Sequence, residues 1–151
     1  RYLNRVSGPF LDRIDIGVEV PRQDLGMMAS EKSIDEGSFP QTEQRNSSAV
    51  MRARVMEARA RQEKRFAGES ISYNSQMTRR QIEKYCRLSG EDVVFLEKVE
   101  RQQGISARGH GKILKVARTL ADLDGQAEIG RTQLAEAIGF RSFEKKYWGS
   151  L

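Results

Sequence analysis

The chain has 151 residues, enough for one ordinary domain with a modest core, or for a smaller domain with an attached arm. No apolar run approaches the roughly 20 residues that a membrane-spanning helix needs, and no signal-peptide order opens the chain, so a soluble, cytoplasmic protein with no membrane partner is expected. Cys86 and His110 are the only residues of their kinds, which excludes a disulfide framework and argues against a zinc site or a Cys–His pair; the net charge of +5 permits attraction to phosphates but is not that of a histone-like tail.

In chain order, residues 14–20 (IDIGVEV) alternate Ile14, Ile16, Val18 and Val20 with Asp15, Gly17 and Glu19, the period-two pattern of a strand. One strand cannot stand alone. Because the chain also starts at Arg1 and not at a methionine, it is expected to begin inside a fold, with the sheet partners upstream and this arm poorly anchored. Residues 22–46 have no sustained periodicity and scatter Gly26, Ser30, Ser33, Gly37, Ser38 and Pro40 among charges, which predicts a flexible linker.

After Ser47 and Ser48, either of which can cap, residues 49–66 lack Gly and Pro and favour a long helix. Its Arg52, Arg54, Arg59, Arg61, Lys64 and Arg65 make it basic, while Met51, Val55, Ala58 and Gln62 give it a thin packing stripe. Two readings of that basic face stay open, a solvated surface or a face that meets DNA or a subunit, with Arg52, Arg59, Lys64 and Arg65 the DNA-binding candidates.

Thr78 with Gln81 fits a capping box and predicts a helix over 79–86, with Cys86 a half-buried helical residue. Ser89 starts another, with Val93, Leu96 and Val99 on one face and Gly104 as terminator. Ser106 can cap a helix running to about residue 124, whose apolar face is Ile113, Leu114, Ala117, Leu120, Ala121 and Leu123. Gly109 and Gly111 within it suggest an adaptable first turn, since a helical glycine costs about 1 kcal/mol relative to alanine. A last helix over 131–139 presents Leu134, Ala135 and Ile138, and a tail over 143–148 adds aromatic anchors. The fold class predicted is mainly α: a bundle of about five helices over 47–151, preceded by a strand-like arm (1–21) and a flexible linker (22–46).

Chemistry is sparse. There is no G-x-x-x-x-G-K-[ST] phosphate loop, and the nearest decoy, Gly111-Lys112, has Ser106 and Ile113 in the wrong places and lies mid-helix. Neither a nucleophile–base pair nor a carboxylate dyad stands out, and most acids are expected at the surface. Arginines remain. In SGPFLDRID, Arg13 sits just before the strand-like run, where its planar guanidinium suits phosphate recognition or a local salt bridge to Asp12 or Asp15.

RYLNRVSGPFLDRIDIGVEVP resembles the segment that closes the ATPase core of magnesium-chelatase-related AAA+ proteins, the ComM/YifB family, and NSQMTRRQIEKYC, GISARGHGKILKVARTLADLDG and FRSFEKKYW resemble that family's C-terminal domain in order and spacing. The likeness covers nearly the whole chain and is weakest between residues 22 and 45. It implies a C-terminal fragment with an AAA+ lid-type helical domain. The parent would be a hexameric, ring-forming ATPase using ATP and magnesium between neighbouring subunits, with the phosphate loop outside this chain and no cofactor bound to the fragment. It further implies that Arg13 is the arginine finger and Arg108, in Ser106-Ala107-Arg108, the sensor-2 arginine, acting on its own or a neighbour's nucleotide. Arg5 is a weaker finger candidate, and Arg118 is expected to pair or pack within the lid. The implied parent activity is DNA helicase or branch migration, with natural transformation as a family-level role. The alternatives are a basic helical module that grips DNA directly and, from the chelatase name, a metal-insertion accessory.

Overall fold

A computed structural model describes residues 13–20 and 47–141 of the chain. The predicted linker over 22–46, the weaker candidate Arg5 and the aromatic tail over 143–148 lie outside the described residues.

Each helix starts where a side chain can satisfy its free amides. Ser47 accepts from Val50 N and opens α1, Ser48–Arg65; a 3-10 turn, Asn74–Gln76, follows. Thr78 and Gln81 form the predicted capping box at α2, Arg79–Tyr85, with Gln81 Oε1 accepting from Thr78 N at 2.9 Å. Ser89 caps α3, Gly90–Gln103, and Gly104 ends it in the left-handed region at φ 69°, a conformation that costs glycine nothing. Ser106 accepts from Gly109 N at 3.1 Å and opens α4, Ala107–Leu123; α5 is Arg131–Gly139. The expected mainly helical fold, with five α-helices, is the one observed among the described residues.

The centre of the bundle is α4, which packs against α5, α1, α2 and the 3-10 turn, while α3 touches α5. Its face alternates large Ile113 and Leu114 with Ala117 and Ala121, and these alanines let neighbouring helices approach closely around Leu96 and Leu134. Phe66 and Tyr85 meet edge to face with centroids 5.3 Å apart, joining the end of α1 to α2.

The core is also charged. Asp122 on α4 is fully buried, and its carboxylate accepts from both terminal nitrogens of Arg65, from Arg118 Nη2 at 3.1 Å and from Asn74 Nδ2 at 2.8 Å. Arg118, also buried, donates to Ala127 O and Gln126 O at 2.9 and 2.8 Å, holding the α4–α5 connection. Burial lowers the Arg118 pKa from an arginine's ordinary value, and the charge of Asp122 opposes that shift. Arg118 therefore packs inside the bundle, as expected; Asp122 is an acid that surface placement does not describe.

The strand expected over 14–20 is absent: no strand occurs among the described residues, because a strand exists only through a ladder partner and none faces this run. Its apolar side is left exposed, with Ile16, Val18 and Val20 all facing solvent. Nor are residues 14–17 of the arm poorly anchored. Ile14 O accepts from Lys112 Nζ and Arg141 Nη1 at 3.2 and 3.1 Å, Gly17 N donates to Phe140 O at 2.9 Å, and Asp15 pairs with Lys112 at 2.9 Å. Backbone groups unused in a ladder are met instead by α4 and the turn after α5.

A Cβ at Gly109 would lie 2.7 Å from Ile105 Cγ2, so the glycine exists for close packing, whereas a Cβ at Gly111 would make an ordinary contact with Ile82.

Two predictions arise from local environments. Cys86 is the C-cap residue of α2 and buried, a correction to its half-buried helical reading, and burial pushes its pKa up to about 11 despite nearby Arg118 and Arg65. It should react with an aromatic disulfide reagent at neutral pH only as the chain unfolds; full modification within seconds under native conditions would contradict this. Glu69, after α1, accepts from Tyr85 Oη at 2.6 Å, Lys84 Nζ at 2.9 Å and Gln81 Nε2 at 3.0 Å, which brings its pKa down to about 2, the Tyr85 hydrogen bond contributing most. A depressed carboxylate stabilises the fold fully above its unfolded pKa of about 4.3, and that contribution is lost as pH falls through the folded value. Urea midpoints of the wild type and Glu69→Gln should therefore differ by a constant amount at neutral pH and converge as pH falls from about 4 toward 2.

A candidate phosphate-facing cleft

The arm, α2, the end of α3 and the start of α4 enclose a cleft of about 970 Å³. Its position follows from the caps. Gly104 turns the chain sharply out of α3, Ser106 starts α4 two residues later, and Arg108 falls in the first helical turn, where it is exposed. That turn carries amides without intrahelical acceptors and the positive end of the helix dipole, both of which favour an anion.

Arg13 reaches the same cleft from the arm. The two arginines singled out in the sequence, 95 residues apart, thus line the same cleft. The anchoring of Ile14 and Asp15 by Lys112 and Arg141 is what sets Arg13 there.

The walls carry Arg79, Lys112 and Lys115 as well, against the carboxylates of Asp15, Glu83 and Glu100, an excess of two positive charges with His110 neutral. The other cations are engaged: Arg79 with Glu83 at 3.2 Å, Lys112 with Asp15, and Lys115 with Ser75 O at 2.8 Å. Arg13 and Arg108 are exposed and have no hydrogen-bond or ion-pair partner among the described residues. Two unengaged guanidiniums beside a capped helix start can form charge-assisted, bidentate hydrogen bonds to a phosphate. The lining offers little to a metal, and no group of three or more His, Cys, Asp or Glu that could hold one occurs among the described residues. Glu100, which the sequence reading does not single out, and His110, noted there only as the lone histidine, also line the cleft; the signal that pairs them, a helix-end acid ten residues before a helix-start histidine, is weak without the Gly104 turn between them.

The basic candidates on α1 divide. Arg52, Arg59 and Lys64 are exposed, with Arg59 over the Tyr73 ring at 5.8 Å from its centroid. Arg65 is committed to Asp122 and Asn74 inside the bundle, so its charge is directed inward. Residues 47–57 are exposed on every side, so the first half of α1 stands clear of the other helices.

Fold and site together define a capped helical domain with two exposed arginines lining one cleft. Residues 45–141 match the family described as Magnesium chelatase, subunit ChlI C-terminal, and the chain belongs to that family. It is similar to the Competence protein ComM of Haemophilus influenzae, 41% identical over 143 residues covering 94% of this chain and 25% of that protein. It is also similar to the Uncharacterized protein YifB of Escherichia coli, at 39% over 145 residues covering 96% and 26%, and to an uncharacterized protein of Mycobacterium bovis, at 30% over 141 residues covering 93% and 26%. The chain spans about a quarter of the length of the curated relatives it matches. No helix among the described residues is long and apolar enough to cross a membrane.

Proposed function

We propose that this chain is the lid region of a ring-forming, cytoplasmic AAA+ ATPase, in which Arg13 and Arg108 read the γ-phosphate of ATP and turn its presence or loss into movement of the helical domain. The observation that carries this is their convergence on one cleft without other partners among the described residues. In the reading from family resemblance, residues 1–21 end the ATPase core, 22–46 link it to the lid, and 47–151 form the lid. The phosphate loop and the magnesium ligands come from sequence outside this chain. Because both arginines belong to one cleft of one chain, they serve the same nucleotide. An arginine finger acts on the neighbouring subunit's nucleotide, so Arg108 does too.

A guanidinium held at that phosphate stabilises the charge that builds during transfer, and its chemistry is positional and electrostatic, with no proton to move. The fragment, lacking the phosphate cradle, binds ATP weakly or not at all. In the full-length protein, Arg13→Ala and Arg108→Ala are expected to keep ATP binding and lose turnover. Saturable micromolar ATP binding by the fragment alone, measured by calorimetry, opposes this reading.

The proposed work of the ring is movement on DNA, as a helicase or branch-migration motor. Exposed Arg52 on the free-standing first half of α1, and exposed Arg59 and Lys64 further along the helix, support a DNA contact there. Duplex binding that falls steeply with salt, and loses about one counterion of salt slope for each of these residues removed, is the expected behaviour.

A further inference from the structure

His110 and Glu100 form a pair that the arginine reading leaves unused. His110, the only histidine of the chain, sits two residues after Arg108 in α4, and its Nδ1 lies 2.6 Å from Oε1 of Glu100 in the last turns of α3. Both line the cleft of Arg13 and Arg108. The ring is 43% exposed, and its Nε2 has no partner among the described residues.

We propose that His110 is a third, protonation-dependent ligand for the anion in this cleft, with Glu100 setting its state. The proposal rests on the reading of the cleft as a phosphate site. Glu100 accepts from Nδ1–H, which leaves Nε2 as the atom that changes. When Nε2 is protonated it is a donor, and the His110–Glu100 pair is neutral. When it is not, Nε2 offers only a lone pair and the Glu100 carboxylate stands uncompensated beside the anion. The cleft thus gains or loses one positive charge with the proton on Nε2 of His110.

The surrounding groups favour this assignment. From the arm come Arg13 and Asp15, from α2 Arg79 and Glu83 with Cys86 at its end, and from α4 Arg108, Lys112 and Lys115. Asp15 and Glu83 are each paired with a cation, and the Cys86 thiol stays protonated, so Glu100 is the carboxylate whose charge His110 controls.

Because His110 is the only histidine, its ring proton gives an unambiguous NMR signal, which tests the proposal directly on this chain. Inorganic sulfate is the probe, since its charge is constant across the titration, with chloride at equal ionic strength as reference. Sulfate is expected to perturb the amides of Ala107 and Arg108 and to raise the His110 titration midpoint by about half a unit or more, because a proton that strengthens anion binding is itself held more tightly by the anion. The midpoint rise should vanish in Arg108→Ala. In His110→Gln, sulfate affinity should lose its dependence on pH around neutrality. Sulfate binding at Ala107 and Arg108 with an unmoved His110 midpoint would overturn the proposal and leave the phosphate cleft standing. No amide response in the cleft at either pH would overturn both.

Discussion

Asp122→Ala is expected to destabilise the chain by about 3–5 kcal/mol, a large part of the 5–15 kcal/mol typical of a domain. The carboxylate is fully buried and accepts four donors, three of them from Arg65 and Arg118. Removing it leaves a buried guanidinium on Arg118 and a mostly buried one on Arg65 without an anion, and a cavity beside Asn74. Arg65→Ala should cost less, since its side chain keeps 16% exposure and the Asp122–Arg118 pair survives its loss. Urea unfolding followed by helical circular dichroism measures both. A midpoint change equivalent to less than about 1 kcal/mol for Asp122→Ala would mean that the bundle does not depend on this network.

Arg13→Ala in the full-length protein is expected to lower ATP turnover by about 10³-fold or more, the scale on which arginine fingers act, with little change in ATP affinity. Arg108→Ala should cost about 10²-fold, the scale of one preorganised donor to developing charge. Both losses belong in kcat, because the interaction strengthens as charge develops on the transferring phosphate. Neither side chain has a partner among the described residues, so urea midpoints of the variants should stay close to that of the parent chain; a variant that loses turnover by unfolding would show it there. A loss confined to KM would assign these arginines to uniform ground-state binding.

Much of the bundle is legible in the sequence because its boundaries are local chemistry. Ser47, Thr78, Ser89 and Ser106 each cap a helix within their own four residues, and Gly104 ends α3 through its own backbone freedom. The buried network is a different kind of information. Arg65 and Asp122 are 57 residues apart, and nothing in either neighbourhood names the other. A partial signal exists on α4, where Arg118 and Asp122 follow Leu114 at helical spacing and so lie on the core face, which predicts that both turn inward. The period-two run over 14–20 misled because alternation reports which side chains share a side, whereas a strand requires a neighbour. The role of Gly109 was hidden for the converse reason: helix propensity scores a missing side chain as lost order, and only the position of Ile105 shows that the space is occupied.

The candidate site was legible as parts and not as a place. Arg13 and Arg108 were named from motifs that resemble a family, but their meeting depends on Lys112 and Arg141 holding Ile14 O, contacts across the whole fold. His110 and Glu100 entered only with the geometry of the α3–α4 turn.

The central claim is that Arg13 and Arg108 serve one phosphate, and a double-mutant cycle on the proposed ATP turnover of the full-length protein tests it most directly. If they act on the same γ-phosphate, the Arg13→Ala, Arg108→Ala double variant should be markedly less impaired than the product of the single losses, with a coupling of about 1–3 kcal/mol. Losses that multiply within experimental error, or a full rate in Arg108→Ala, would contradict the account.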